Sequence, residues 1–343
     1  MTSIWSIGIG LATPAPAEMQ AQSWMEVWYP SVLLQPDSSQ ERLIRQLTNG
    51  RTGVLDDVPD ELAAQVALWS AAGDTPIAIP PSVGRRQRIC CVLEQDAAIT
   101  SVAEAYLKLH LLSLRLVRPN SINLEGLFAA LPNIAWTNQG PLYPSQVDSI
   151  RLQELEQGRT LWVHSLDKFP PLTQYIIPEG VRIADTARVR LGAWIGSGTT
   201  IMHSGSINFN AGTEQTAMIE GRVSAGVVIG SNSDLGGSAS TMGRLSGGGT
   251  ELVSMGSDCL LGANSGLGIA LGNRCTVEAG LYITAGSKIR LLDAKRQLVK
   301  ECKARELSGA DDLLFWRNSI TGAIECQQNQ TDVSLNPDLH SHN

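Results

Sequence analysis

Between Val181 and Ile289 one kind of side chain returns every sixth residue, and that spacing restricts the fold more than any other property of the chain. Ile183, Val189, Ile195, Ile201 and Ile207 follow one another at intervals of six. The count resumes with Ile229 and Leu235, then Met255, Leu261 and Leu267, then Leu271, Val277, Ile283 and Ile289. Four places beyond the aliphatic the residue is small, as at Ala187, Ala193, Thr199, Gly205, Ala211, Ser233, Ala239, Cys259, Ser265 and Cys275. A period of six fits neither the helical repeat of about 3.6 nor the strand repeat of about two. It fits a coil of three short, flat β segments whose aliphatics point to the axis while Gly or Asn turns the corners at positive φ. Such a coil buries its apolar edge only against the next one, so it exists as a stack. With roughly eighteen residues per coil the stretch holds about five or six coils.

The expected architecture is an α+β N-terminal domain over 1–175, a left-handed parallel β-helix of hexapeptide repeats over 176–290, and a small β C-terminal extension with a polar tail over 291–343. The count breaks twice, between Ile207 and Ile229 and between Leu235 and Met255. Both breaks read as insertions, which in solenoids project from one face where ligands bind. Before the repeats the pattern is mixed. Trp5, Ile7 and Ile9 alternate as in a first strand, and Arg88 to Leu93 and Thr160 to His164 also read as strands. Helices are expected over Gln40 to Leu47, after Pro59, over Val102 to Val117 and over Ser145 to Gln157. Ser101 and Glu104 are placed as a capping box for the third of these.

A formal net charge of −7 argues against nucleic acid or an anionic membrane as partner. No apolar run approaches the roughly twenty residues that span a bilayer. The first basic residue is Arg42, so the N-terminus lacks the basic region of a signal peptide. Six cysteines without metal-type spacing read as reduced thiols of a cytoplasmic protein.

Hexapeptide β-helices commonly host coenzyme A acyltransferases, an analogy that needs site residues behind it. Acyl transfer to an amine requires a group that takes the amine's proton, donors for the oxyanion and cations for the nucleotide phosphates. Glu220, beside Arg222 in M-I-E-G-R, is the best carboxylate; the competing role is a surface ion pair. Lys288, Lys303, Arg305 and Arg317 offer positive charge. His203 is a second candidate base, and as the one histidine among the repeats it excludes a zinc site of three imidazoles.

The motifs from Gly180 onward, G-V-R-I-A-D-T-A-R-V-R-L-G-A, N-F-N-A-G-T, M-I-E-G-R-V-S-A-G-V, L-S-G-G-G-T, L-L-G-A-N-S-G-L-G-I, V-E-A-G-L-Y-I-T-A-G, K-A-R-E-L-S-G and R-N-S, together resemble the tetrahydrodipicolinate N-succinyltransferase family of bacterial lysine biosynthesis, in its actinobacterial and pseudomonad branch. A-E-A-Y-L-K-L-H-L-L and L-P-N-I-A-W-T-N extend the resemblance into the N-terminal domain. It implies a homotrimer, with active sites between subunits, that moves a succinyl group from succinyl-CoA to the amine of ring-opened tetrahydrodipicolinate. It implies Glu220 as the catalytic carboxylate, acting as a base or through an acyl anhydride. It also implies succinyl-CoA contacts at Arg222, Gly237, Ser240, Ala263, Glu278, Ala279, Gly286, Lys303, Arg317, Asn318 and Ser319. Trp316 stands where the family tends to carry Arg, so it stacks on adenine or merely packs. A hexapeptide acyltransferase with another acyl donor or amine acceptor, and a catalytically silent scaffold, are the alternatives.

Relatives carry acidic magnesium ligands where this chain has Ala187 and Ser204, neither of which brings a carboxylate. No metal site is carried over, and activity is expected to survive exhaustive chelation. Loss of turnover in chelator, reversed by added magnesium, would show that other side chains bind the ion.

Overall fold

The computed structural model describes residues 3–18, 23–70, 75–243 and 251–329, and the chain divides into two units, 1–117 with 121–170 and 118–120 with 171–343. The first unit begins β1 (Ser6–Pro14), β2 (Trp24–Leu34), α1 (Ser38–Leu47), β3 (Gly53–Leu55), α2 (Asp60–Ser70), β4 (Ser82–Val83), β5 (Arg86–Leu93) and α3 (Val102–Ser113). Its antiparallel sheet runs β2-β1-β5-β3, with β4 on β5. Alternation puts Ile7, Ile9 and Leu11 on one face, where they pack with Ile44 of α1 and with Leu62 and Val66 of α2. On the other face Gly8 makes room, since a Cβ there would lie 2.8 Å from both Leu107 of α3 and Tyr29. Every residue of α3 except Glu104 is buried, not just one stripe, and the helix ends at Ser113 because Arg115 turns the chain at φ 60°. Ser101 accepts from the Glu104 amide, but the Glu104 carboxylate reaches the Thr100 amide instead of completing the expected box.

Two polar residues of α3 are committed inside the unit. Lys108, 1% exposed, donates to Asp96 at 2.5 Å, to the Ala97 carbonyl at 2.6 Å and to the Asn123 carbonyl at 2.7 Å, which uses all three of its protons. His110 Nδ1 donates to the Tyr106 carbonyl at 2.7 Å while Nε2 accepts from the Tyr29 amide at 3.2 Å, so the ring is held neutral. Burial pushes its pKa down to about 4. The unit closes with α4 (Leu127–Ala130), β6 (Ile134–Thr137), β7 (Gly140–Leu142), α5 (Val147–Glu156) and β8 (Val163–Asp167). The sheet is β7-β6-β8, and Val147 and Ile150 of α5 pack on Ala135, Leu142 and Leu161. β8 starts three residues beyond the expected strand start at Thr160.

The second unit is a parallel β-helix with three axial columns. Ile183, Ile201, Ile219, Leu235, Leu261, Val277 and Phe315 form the first. Val189, Ile207, Val223, Thr241, Leu267 and Ile283 form the second, and Ile195, Thr213, Ile229, Met255 and Leu271 the third. The first expected insertion is therefore no insertion: Ile207, Thr213 and Ile219 keep the six-residue count. Thr213, fully buried, fills an aliphatic place because its hydroxyl meets Thr199 at 2.7 Å and accepts from the Gly196 amide at 3.1 Å. The chain then shortens by two residues, because Val223 comes four residues after Ile219, as Leu271 does after Leu267. The true insertion lies between Thr241 and Met255; its residues 244–250 fall outside the described residues, as does the tail from 330 onward.

The small residues do line the inner corners. Ser233 Oγ accepts from the Cys259 amide at 3.1 Å and Cys259 Sγ from the Cys275 amide at 3.2 Å, one coil after another. Beyond Ile283 the strands Lys288–Leu292, Leu298–Lys303, Leu313–Arg317 and Ile324–Gln328 join the first column's sheet, with Phe315 beside Val277.

The buried neutral His110 sets a pH response. Its folded pKa lies below the ordinary value of 6.5, so its contribution to stability is complete above about pH 6.5 and is lost as pH falls through about 4. Melting temperature measured from pH 7 to pH 4 should fall less steeply in His110→Gln than in the parent. Identical slopes would remove His110 as a cause.

Candidate active site

Leaving the first column, each coil turns a corner before reaching the second, and these corners stack. Ala187, then His203 and Ser204, then Glu220, then Gly237 and Ser238, then Ala263 and Asn264, then Glu278 and Ala279 occupy successive levels. Main-chain bonds tie the levels together: Ser238 N to the Glu220 carbonyl at 3.1 Å, Asn264 N to that of Gly237 at 2.9 Å, and Gly280 N to that of Ala263 at 2.8 Å. Ser238 and Asn264 take φ of 58° and 59° to make the turn. Glu220 sits at the shortened corner, where two fewer residues separate the columns, and is half-buried. The shortening is possible because residue 221 is Gly; a Cβ there would lie 2.2 Å from the Ala239 carbonyl.

Gly237 is a different kind of glycine. Its φ is not positive, and the one heavy atom within 4 Å of a Cβ placed on it is Glu220 Oε2, at 3.6 Å. Among the described glycines, only Gly237 and Gly286 have neither a positive φ nor a neighbour that a methyl group would strike closer than 3.4 Å. Backbone geometry and internal packing therefore account for the others and leave these two unexplained. Gly237 keeps the space in front of the Glu220 carboxylate open. Gly286 keeps a second space open at the next corner, after Ile283.

The remaining residues fall into three sets. Arg222 donates to Ser240 Oγ from Nη2 at 2.7 Å and from Nε at 3.1 Å, on the outer face that carries the second column, so it is not paired with Glu220 as a surface ion pair. Glu278 accepts from the Arg317 amide at 2.8 Å, which brings the strand Leu313–Arg317 to the end of the corner stack. Arg317 spends one guanidinium nitrogen on the Gly322 carbonyl, at 3.0 Å. Asn318 shapes the turn that comes next: its Oδ1 accepts from the Ile320 and Thr321 amides, both at 3.0 Å, and its Nδ2 donates to Glu325 at 3.1 Å. Trp316 is partly buried and Ser319 exposed. Gly286 and the exposed Lys303, whose strand pairs it with Lys288, lie apart from Glu220 at the other corner of that face.

The chain matches family models described as the N-terminal part (residues 81–129) and middle part (residues 131–170) of tetrahydrodipicolinate N-succinyltransferase, and one described as the hexapeptide repeat of succinyl-transferase (residues 252–285). It is 49% identical over 354 aligned residues to the 2,3,4,5-tetrahydropyridine-2,6-dicarboxylate N-succinyltransferase of Pseudomonas aeruginosa, covering 99% of both chains. The chain belongs to the tetrahydrodipicolinate N-succinyltransferase family. A Vibrio cholerae enzyme of the same description is 47% identical, with 93% of this chain and 94% of that one covered. A solved Campylobacter jejuni structure described as a 2,3,4,5-tetrahydropyridine-2-carboxylate N-succinyltransferase superposes with a TM-score of 0.81 at 28% identity, covering 97% and 94% of the two chains.

Family membership sharpens one departure. At the two places where the resemblance implies acidic magnesium ligands, Ala187 is an exposed methyl, and the Ser204 hydroxyl is spent on the Glu220 carbonyl at 2.8 Å. The nearby Asp185 carboxylate accepts from the Ala187 amide at 3.1 Å and from Arg188 at 3.2 Å. That donor set does not fit a hard cation wanting about six oxygens.

Between the two open glycines lies a covered segment that the chain's motifs do not announce. It is the strand Gly266–Gly268, whose outward positions carry no side chain. The Tyr282 ring, 40% exposed, lies against Gly266, where a Cβ would come within 2.0 Å of it, and Met242 Sδ would lie 2.9 Å from a Cβ on Gly268. The signal was present as the G-L-G triplet, but its meaning depends on neighbours in adjacent coils.

Proposed function

We propose that succinyl transfer from succinyl-CoA to the amine of ring-opened tetrahydrodipicolinate takes place at Glu220. The pair of glycines that neither backbone nor packing requires is the observation that carries this assignment. One opens in front of the Glu220 carboxylate and the other marks the far corner of the same face, and a long thioester donor needs room at both. The amine nitrogen attacks the thioester carbonyl, the C–N bond forms, the C–S bond breaks and coenzyme A leaves as thiolate. Glu220 takes the proton that the amine loses. Arg222, Ser240, Ala263, Glu278 and Ala279 line the donor's course from that corner, and the Tyr282 ring and Met242, which cover the buried Gly266–Gly268 strand, form the surface beside it. Lys303 and Arg317 supply charge toward the nucleotide phosphates, and Trp316 offers a flat surface for its base. Asn318 acts by holding the turn that presents Arg317 and Ser319.

The enzyme works as a homotrimer whose subunits share each site, supported by the small, partly exposed outward positions Ser206 and Ser240 on the second-column face. It resides in the cytoplasm, in keeping with six free, buried cysteines. No helix among the described residues is long and apolar enough to cross a membrane.

Glu220→Gln should lower kcat by about a hundredfold or more with little change in KM for succinyl-CoA, as expected for an interaction used in the transition state. Lys303→Ala should raise that KM by roughly tenfold with kcat retained, the loss of a charged phosphate contact. Thiol release from succinyl-CoA, followed with and without the cyclic imine dicarboxylate, measures both. Near-normal kcat in Glu220→Gln with a lowered Tm would make the carboxylate structural and His203 the base to test. Light scattering should give a mass three times the 36.7 kDa of one chain; a stable monomer at micromolar concentration would end the shared-site assignment.

A further inference from the structure

We propose that Ser204 is a positioning residue for Glu220. Taking Glu220 as the carboxylate that serves the transfer, its aim depends on the plane of its own peptide unit, because the side chain leaves the backbone at a corner two residues shorter than the one on the preceding coil. The Glu220 carbonyl accepts twice, from Ser204 Oγ at 2.8 Å on the preceding coil and from the Ser238 amide at 3.1 Å on the following coil. The Glu220 amide donates to the Leu235 carbonyl at 2.8 Å. At the next two levels of the same stack, the Gly237 and Ala263 carbonyls take main-chain donors from Asn264 and Gly280, with no side-chain donor among the described residues. A side chain reaches this carbonyl at the level of the carboxylate and not at the two levels beyond it.

The Ser204 bond is not needed to hold the coils together. Met202 N donates to the Ile219 carbonyl at 2.9 Å and Ser206 N to the Gly221 carbonyl at 3.0 Å, so main-chain bonds already fasten both sides of the corner. Gly205 lets the coils meet that closely, since a Cβ on it would lie 2.3 Å from the Ile219 carbonyl. What the hydroxyl adds is a second anchor on the peptide that joins Glu220 to Gly221, the softest link in the corner. With that plane held from both sides, the carboxylate stays over Gly237, where Oε2 has room to meet a reacting group. Without the hydroxyl the peptide rocks on Gly221 and the carboxylate spends less time aimed at the open space.

The test compares Ser204→Ala, Ser204→Thr, Glu220→Gln and the double variant Ser204→Ala/Glu220→Gln in steady-state kinetics and thermal melting. Ser204→Ala should lower kcat roughly three- to tenfold, the scale of one lost hydrogen bond, with KM for succinyl-CoA and Tm unchanged. Ser204→Thr, which keeps the hydroxyl, should restore kcat. In the Glu220→Gln background Ser204→Ala should cost nothing further, because it acts only through the carboxylate. Parent-like kcat in Ser204→Ala, an equal loss in Ser204→Thr, or a full additional loss in the double variant would each overturn the positioning role. If Glu220→Gln collapses turnover while Ser204→Ala does not, that role alone is wrong. If Glu220→Gln retains turnover, the catalytic assignment of Glu220 fails and takes Ser204 with it.

Discussion

Each coil of the β-helix hands its backbone carbonyls to the amides of the coil beside it, and nearly everything else in the second unit depends on how closely that requires the coils to approach. The spacing leaves no room for side chains at many corners, so glycine is imposed at positions such as 212 and 221, where a Cβ would overlap a neighbouring carbonyl oxygen at 1.7 Å and 2.2 Å. It selects small side chains for the inner corners, and it makes polar ones useful there. Ser233 and Cys259 each accept an amide from the next coil, so a polar atom next to the apolar axis is a rung of the ladder, not an unpaired group. The apolar columns and the polar corners are one solution to a single spacing, and each coil is stable only because its neighbours complete it.

The same constraint gives chemistry a place to stand. Residues far apart in the chain become neighbours when their coils stack, so Ser204, Glu220, Gly237, Ala263 and Glu278 line up although no pair is closer than 15 residues in sequence. A rigid ladder fixes their backbones, and the variable part is reduced to which side chain stands at each level. The proposed site, built this way, would need little reorganisation when a substrate arrives.

Much of this was legible in the residues and some was not. The six-residue beat revealed the β-helix because aliphatics repeat only when three flat faces share an axis. Thr213 and Thr241 hid part of it: their shape suits an aliphatic place, but their hydroxyls do not announce it until the partner across the coil is known. A deletion of two residues after Ile219 looked like an insertion for the same reason, since a phase lost by Thr213 could not be told from a phase interrupted. Glu220 enters as a candidate through M-I-E-G-R, because a motif preserves local chemistry. Asn318 belonged to an equally telling motif, yet its side chain is engaged in its own turn, a role that depends on Glu325 seven residues later. Tyr282 and Met242 left no local mark, because each is defined by a glycine on another coil. In the N-terminal unit the strong period of α3 marks a helix, while its end at Ser113, four residues short of the expected Val117, and the extent of its burial depend on the turn at Arg115 and on packing partners beyond the helix itself.

The two four-residue steps bear on how such a protein can change. Restoring two residues between Ile219 and Val223 would return that coil to the length of the one before it, and the three columns would stay in phase because the added residues bulge outward at a corner. The peptide after Glu220, however, would no longer sit between Ser204 and Ser238, and the carboxylate would leave Gly237. Length is therefore a neutral variable for the architecture and, on the proposed role of Glu220, a decisive one for the reaction. On that assignment a lineage would lose or gain activity at this corner through insertion and deletion alone, without replacing a single buried side chain.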